Sequence, residues 1–179
     1  MNYGVYRNAR DASWRCLIDC GVSELPVKPV RIARHYGIIC KDPEDSVMGN
    51  ASGKIFCESK TGTIIIATRH SESNVRRRYT IMHELGHYLL GHAGHVTTPE
   101  EEYQAERFAA DVLMPACVLW GLRLHTADDI AEACGVSYTA AERRAERMEL
   151  LYKRGAFLTH PLERQVYRQF EGYIKSNKK

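Results

Sequence analysis

The segment from Asn74 to Leu90 carries apolar side chains at Val75, Met82, Leu85 and Leu89, spaced as a helix spaces them. No proline interrupts it, and Asn74 can cap its start. A chain with this pattern must fold the segment as an amphipathic helix and build something against its apolar face. The same segment holds His83-Glu84-Leu85-Gly86-His87, an H-E-x-x-H sequence. Residues four apart on a helix stack with Cβ atoms about 5–6 Å apart, so His83 and His87 can offer two imidazole nitrogens to one zinc ion. Glu84 then sits beside that ion, where its carboxylate can take the proton of a water the ion has acidified. The alternative is a surface helix with two ordinary polar histidines.

A catalytic zinc normally takes a third protein ligand and keeps a fourth position open. The H-E-x-x-H-x-x-G-x-x-H scheme fails, because it needs Gly at 90 and His at 93 where this chain has Leu90 and Ala93, so His92 and His95 are out of register. The next helix, in the stretch from Thr98 to Pro115, offers several acids. Thr98 reads as its N-cap, Pro99 as its first residue and Glu101 as the partner closing a capping box, while Glu100 suits the positive end of the dipole. Ala105, Phe108, Ala109, Val112, Leu113 and Ala116 form the apolar side, with Glu100, Gln104, Arg107 and Asp111 opposite. Glu102 falls on the apolar side, where a carboxylate is costly unless paired or bound to a cation. It is the expected third ligand, a snorkelling surface Glu being the alternative. Glu106, one turn on, can accept a hydrogen bond from the other nitrogen of a ligating His, or pair with an Arg.

The run from Arg77 to His92, followed by Glu102-x-x-Ala105-x-x-Phe108-Ala109-Ala110-x-x-Leu113-Met114-Pro115, resembles the ImmA/IrrE family of bacterial metallopeptidases. Leu25-Pro26-Val27 and Tyr36-Gly37-Ile38 extend the resemblance to roughly residues 20–116. It implies a gluzincin-like core with zinc on His83, His87 and Glu102, Glu84 as general base, and substrates that are helix-turn-helix repressors of mobile elements or stress responses. The family more often has Asn or Asp where Glu106 stands.

The expected class is α+β: a helical metallopeptidase core with a small antiparallel sheet, residues 1–121, followed by a helical, helix-turn-helix-like module, 122–179. Helices are expected over 5–20 and 29–36. An antiparallel meander of Ile38–Cys40, Lys54–Cys57 and Thr63–Ala67 follows, separated by Gly- and Pro-marked turns. Thr126 and Ser137 read as caps of two further helices joined at Gly135, the second with Tyr138, Ala141, Ala145, Met148 and Tyr152 at core spacing. The opening residues show neither a basic n-region nor an apolar run, and the six Cys form no C-x-x-C pair, so a cytoplasmic protein without a membrane span or second zinc is expected. Net charge is +3, but residues 141–179 hold ten Lys and Arg against five Glu. Glu142, Glu146 and Glu149 interleave with Arg143, Arg144 and Arg147, which weakens phosphate attraction and favours partner docking over DNA binding.

The leading reading is a zinc endopeptidase acting on a protein substrate, with Tyr79, Tyr88, Tyr103, His92 and His125 as candidate oxyanion donors by residue type. The rival is a non-proteolytic zinc-containing regulator that binds a repressor or DNA. Glu84 argues against it, since a structural zinc needs no base and prefers four protein ligands.

Overall fold

Ile64-Ile65-Ile66-Ala67-Thr68 is an unbroken, β-branched run with no polar face to give to solvent, which suits the centre of a sheet. The computed structural model describes residues 3–92 and 97–178, with side chains from residue 8 onward, and puts this run there. The elements are α1 (Tyr3–Asp19), α2 (Pro29–His35), β1 (Ile39–Lys41), α3 (Asp45–Met48), β2 (Gly53–Cys57), β3 (Ile64–Thr68), α4 (Asn74–Leu89), α5 (Pro99–Leu113), α6 (Ala116–Leu122), α7 (Ala127–Cys134), α8 (Tyr138–Lys153), α9 (Pro161–Gln169) and α10 (Glu171–Asn177). None of the described helices is long and apolar enough to cross a membrane.

Strand order is β1-β3-β2. β2 pairs antiparallel with β3, Ile55 opposite Ile66, but β1 pairs parallel with β3, Ile39 opposite Ile65. The expected antiparallel meander is therefore corrected to a mixed sheet. Between Lys41 and Ile64 the chain is long enough to return β3 in the direction of β1, a crossover that a tight hairpin forbids. β3, buried over four of its five residues, takes both neighbours, and β2 is left as an edge.

Contacts divide the chain into two compact units, residues 1–9 with 28–109 and residues 10–27 with 110–179. In the first, α4 lies on β2 and β3, and α2 packs on α4 and β1. α4 is capped by Ser73, one residue before the expected Asn74; its hydroxyl accepts from the Arg76 N–H at 3.2 Å. Thr80, Ile81, Met82, Leu85 and Gly86 form the buried side of α4. α5 starts with the expected capping box. Thr98 Oγ1 accepts from Glu101 N–H at 3.2 Å, and the Glu101 carboxylate accepts from Thr98 N–H at 2.7 Å.

In the second unit Thr126 caps α7 and Ser137 caps α8, with Gly135 at φ 60° ending α7 in the left-handed conformation a tight turn requires. The buried side of α8 is Ala141, Arg144 and Met148, whereas Tyr138 and Tyr152, expected in the core, are exposed. Arg144 donates to Asp111 Oδ1 and to the Ala110 carbonyl, both at 2.7 Å. Periodicity places Asp111 on the polar side of its helix and Arg144 in a run of alternating charges; in the structure each is buried against the other's charge. Gln169 donates to the Leu17 and Val22 carbonyls at 2.8 and 2.6 Å, satisfying backbone acceptors at the end of α1.

Candidate metal centre

α4 presents His83 and His87 one turn apart, their ring centroids 4.7 Å apart and edge-to-face. Their Nε2 atoms lie 3.1 Å from each other. Glu102, in the first turn of α5, completes a triangle with Oε2 3.2 Å from His83 Nε2 and Oε1 3.5 Å from His87 Nε2. A tetrahedral ion with bonds of about 2.0–2.1 Å holds its ligands about 3.3–3.4 Å apart. The three donors are thus spaced for one small cation, and they form a group that can hold a metal ion.

Two small residues make that triangle possible. A Cβ on Gly86 would stand 3.2 Å from Ala105 Cα and 3.0 Å from Phe108 Cδ1, so the α4–α5 contact closes only without one. Ala105 is three residues past Glu102, and the contact therefore sets how far Glu102 stands from the imidazoles. Glu102 is not core-facing as expected. Its side chain is 43% exposed at the rim of a cleft, held also by the Thr97 hydroxyl, which donates to Oε1.

Burial, more than the mutual repulsion of the imidazoles, lowers the His87 pKa, and burial lowers that of His83 against the pull of Glu102 and Glu106. Both shifts favour the neutral ring, the form that binds metal. Glu84 behaves in the opposite sense: burial first, and the nearby Glu102 charge second, push its carboxyl up to about 7, partly offset by a hydrogen bond from the Ile55 backbone N–H. Ile55 lies on β2, the edge strand. The strand can run so close to α4 only because residue 53 lacks a side chain: a Cβ there would meet Thr80 Cγ2 at 2.2 Å and Glu84 Oε1 at 3.0 Å.

These groups line one cleft of about 790 Å³, walled by Ser52–Phe56 of the β2 segment, by Arg76, Tyr79, Thr80, His83, Glu84 and His87 of α4, and by His92, Thr97, Glu102 and Glu106. Tyr79 and His92 are the candidate donors that reach it. Tyr88 and Tyr103 are exposed elsewhere, and His125 packs on Tyr152 with centroids 5.0 Å apart. His95 lies outside the described residues. Glu106 lines the cleft, yet the partner of the His87 Nδ1 is His92, at 2.9 Å, and His92 in turn meets Gln104 Oε1 at 2.8 Å. The His83 Nδ1 is buried with no hydrogen-bond partner among the described residues.

Sequence reasoning missed Gly53, Ile55 and Gln104. A glycine opening a β-prone run signals a close approach of backbone, but neither it nor a polar residue on the outer face of α5 names its neighbour.

The model of the Peptidase_M78 family, described as the IrrE N-terminal-like domain, matches residues 43–146. The chain belongs to this family. The match bears out the resemblance to ImmA/IrrE proteins and makes the chain a member of a metallopeptidase family. It begins later than the motifs suggested and runs on past residue 116, through α7 and into α8. No curated protein matches the chain.

Proposed function

We propose that the protein is a zinc-dependent endopeptidase of the cytoplasm whose substrate is a helix-turn-helix transcriptional repressor of a mobile element or stress response. The observation that carries the enzymatic part is the cluster of His83 Nε2, His87 Nε2 and the two oxygens of the Glu102 carboxylate, with separations of 3.1–3.5 Å, beside Glu84, whose carboxyl is pushed up to about 7. Two nitrogens and one oxygen suit zinc, and three protein ligands leave a position open for chemistry. The repressor as substrate rests on the family resemblance, and the family match supports it only as far as a protein substrate.

In this reading His83, His87 and Glu102 hold the ion. Zinc, when bound, supplies Lewis acidity toward the scissile carbonyl and toward water. Glu84 would accept the proton of the attacking water and deliver it to the leaving amine. The outer edge of β2 offers its backbone to an extended substrate along the cleft wall. Residues 122–179 would form a helix-turn-helix-like docking module for the protein partner. Its affinity for DNA is reduced because Asp111 already neutralises Arg144.

Glu84→Gln tests the proposal. The variant keeps the side chain's shape and the three ligands, so about one zinc per chain should persist by elemental analysis. Cleavage of a candidate repressor encoded beside the gene should fall by about 10²–10⁴-fold. If wild type yields no fragments and both proteins relieve repression equally, a zinc-containing regulator that binds without cutting replaces the peptidase.

A further inference from the structure

His87, His92 and Gln104 form a continuous hydrogen-bonded line leading away from the proposed ion, with contacts of 2.9 Å between the two Nδ1 atoms and 2.8 Å from His92 Nε2 to Gln104 Oε1. Each contact needs one donor and one acceptor, so the direction of every proton in the line is coupled to the others. An amide oxygen only accepts. A His92 ring holding a single proton must then carry it on Nε2, leaving its Nδ1 as an acceptor, and His87 must donate from its own Nδ1. That places the lone pair of His87 on Nε2, the atom that faces His83 and Glu102. The same direction follows from the other end, since an Nε2 that binds a metal carries no proton. Read the other way, with the amide donating, the line would put a proton on the His87 Nε2 and block it.

Resting on the metal reading of this site, we infer that His92 and Gln104 are positioning residues that hold His87 in the Nδ1–H tautomer with its Nε2 directed at the ion. The usual partner of a ligating histidine is a carboxylate or a backbone carbonyl. Here an imidazole takes that place and passes the demand for an acceptor on to an amide 12 residues along the chain. The arrangement adds no negative charge behind the ligand, so orientation is gained without raising its basicity as a carboxylate would. It also ties the segment after α4 to α5 through two side chains, both independent of the ion. His83 has no such support among the described residues.

The tautomers are measurable without activity, from two-bond imidazole ¹⁵N–¹H spectra of the metal-free protein above the imidazole titration range. Wild type should show His87 protonated on Nδ1 and His92 on Nε2, although free histidine favours Nε2 in both. Zinc affinity, read by competition with a chromophoric chelator, should fall about 10- to 100-fold in His92→Phe and in Gln104→Met, which keep shape and lose the nitrogen or the acceptor. Gln104→Glu retains an acceptor and should stay within about threefold of wild type. Gln104 is a half-buried position on the outer side of α5, where the fold tolerates either substitution. A metal-free wild type with His87 protonated on Nε2, or a Gln104→Met variant with unchanged tautomer and zinc affinity, overturns the relay. Failure of the metal reading looks different: the tautomers would be as stated, and wild type would bind no zinc.

Discussion

Gly86 faces the backbone of Ala105 so closely that a single methyl on it would come within 3.2 Å of the Ala105 Cα. The contact joins the helix carrying two proposed ligands to the helix carrying the third. Gly86→Ala gains about 1 kcal/mol of helix propensity and loses a comparable amount to crowding against backbone. Its thermal midpoint should therefore stay close to that of wild type while zinc affinity drops several-fold, because α5 can relieve the crowding only by carrying Glu102 away. Chelator competition beside a melting curve separates the two effects.

Gly53 is expected to be stricter. Its absent Cβ would lie 2.2 Å from a Thr80 methyl, so Gly53→Ala should cost about 1–3 kcal/mol and displace Glu84. Cleavage should fall while zinc content is kept. Adding Thr80→Ser removes the obstructing methyl and should recover most of the stability in urea denaturation. A double variant no better than the single would show that the obstruction lies elsewhere.

The buried ion pair of the second unit gives the largest stability prediction. Arg144 and Asp111 are 2% and 7% exposed and 2.7 Å apart, and removing one leaves the other's charge buried. Arg144→Met should destabilise by about 3–5 kcal/mol. Reversing the exposed Arg143 one residue away should change stability by no more than about 0.5 kcal/mol. Equal effects at the two positions would contradict the assignment of Arg144 to the core.

The raised Glu84 pKa has a signed consequence for the metal-free protein. Unfolding returns the carboxyl from about 7 to 4.5, so between those values the folded state binds more protons. Stability contributed by the protonated form is complete below pH 4.5 and is lost as pH rises to about 7, a decline of up to about 3 kcal/mol. Glu84→Gln should lack this decline and be the more stable of the two at pH 8. Chemical denaturation across that range in the presence of chelator checks the sign.

Much of this was legible in the residues, and the remainder was hidden for definable reasons. The histidine pair, the capping box of α5, the caps of α7 and α8 and the Gly135 turn depend on neighbours within four positions, which is the range over which helical geometry is fixed by sequence. Strand positions came from β-branched composition, but strand direction did not: β1 and β3 are joined by a connection that permits either orientation. Asp111 reads as part of the polar side of its helix, and Arg144 as part of a run of alternating charges, because one helix at a time shows a charge's periodicity and not its partner. Glu102 was chosen on the premise of a buried carboxylate, yet it lies at a cleft rim, where the neighbouring imidazoles, not a lack of water, give it a role.

The one-sided strand β2 bears on what can be cut. A cleft walled by the edge of a sheet, its Ile55 N–H held by Glu84 and the rest of that edge without a neighbouring strand, accepts a ligand that brings main chain of its own, lying straight and offering amides at regular intervals. The repressors proposed as substrates are built from helices, whose amides are already spent on one another. Such a molecule can be severed only in a linker, or while part of it is briefly undone. The tempo of cleavage then belongs as much to the looseness of the repressor as to the peptidase, and any ligand that tightens the repressor's fold, its own operator included, would protect it from cleavage.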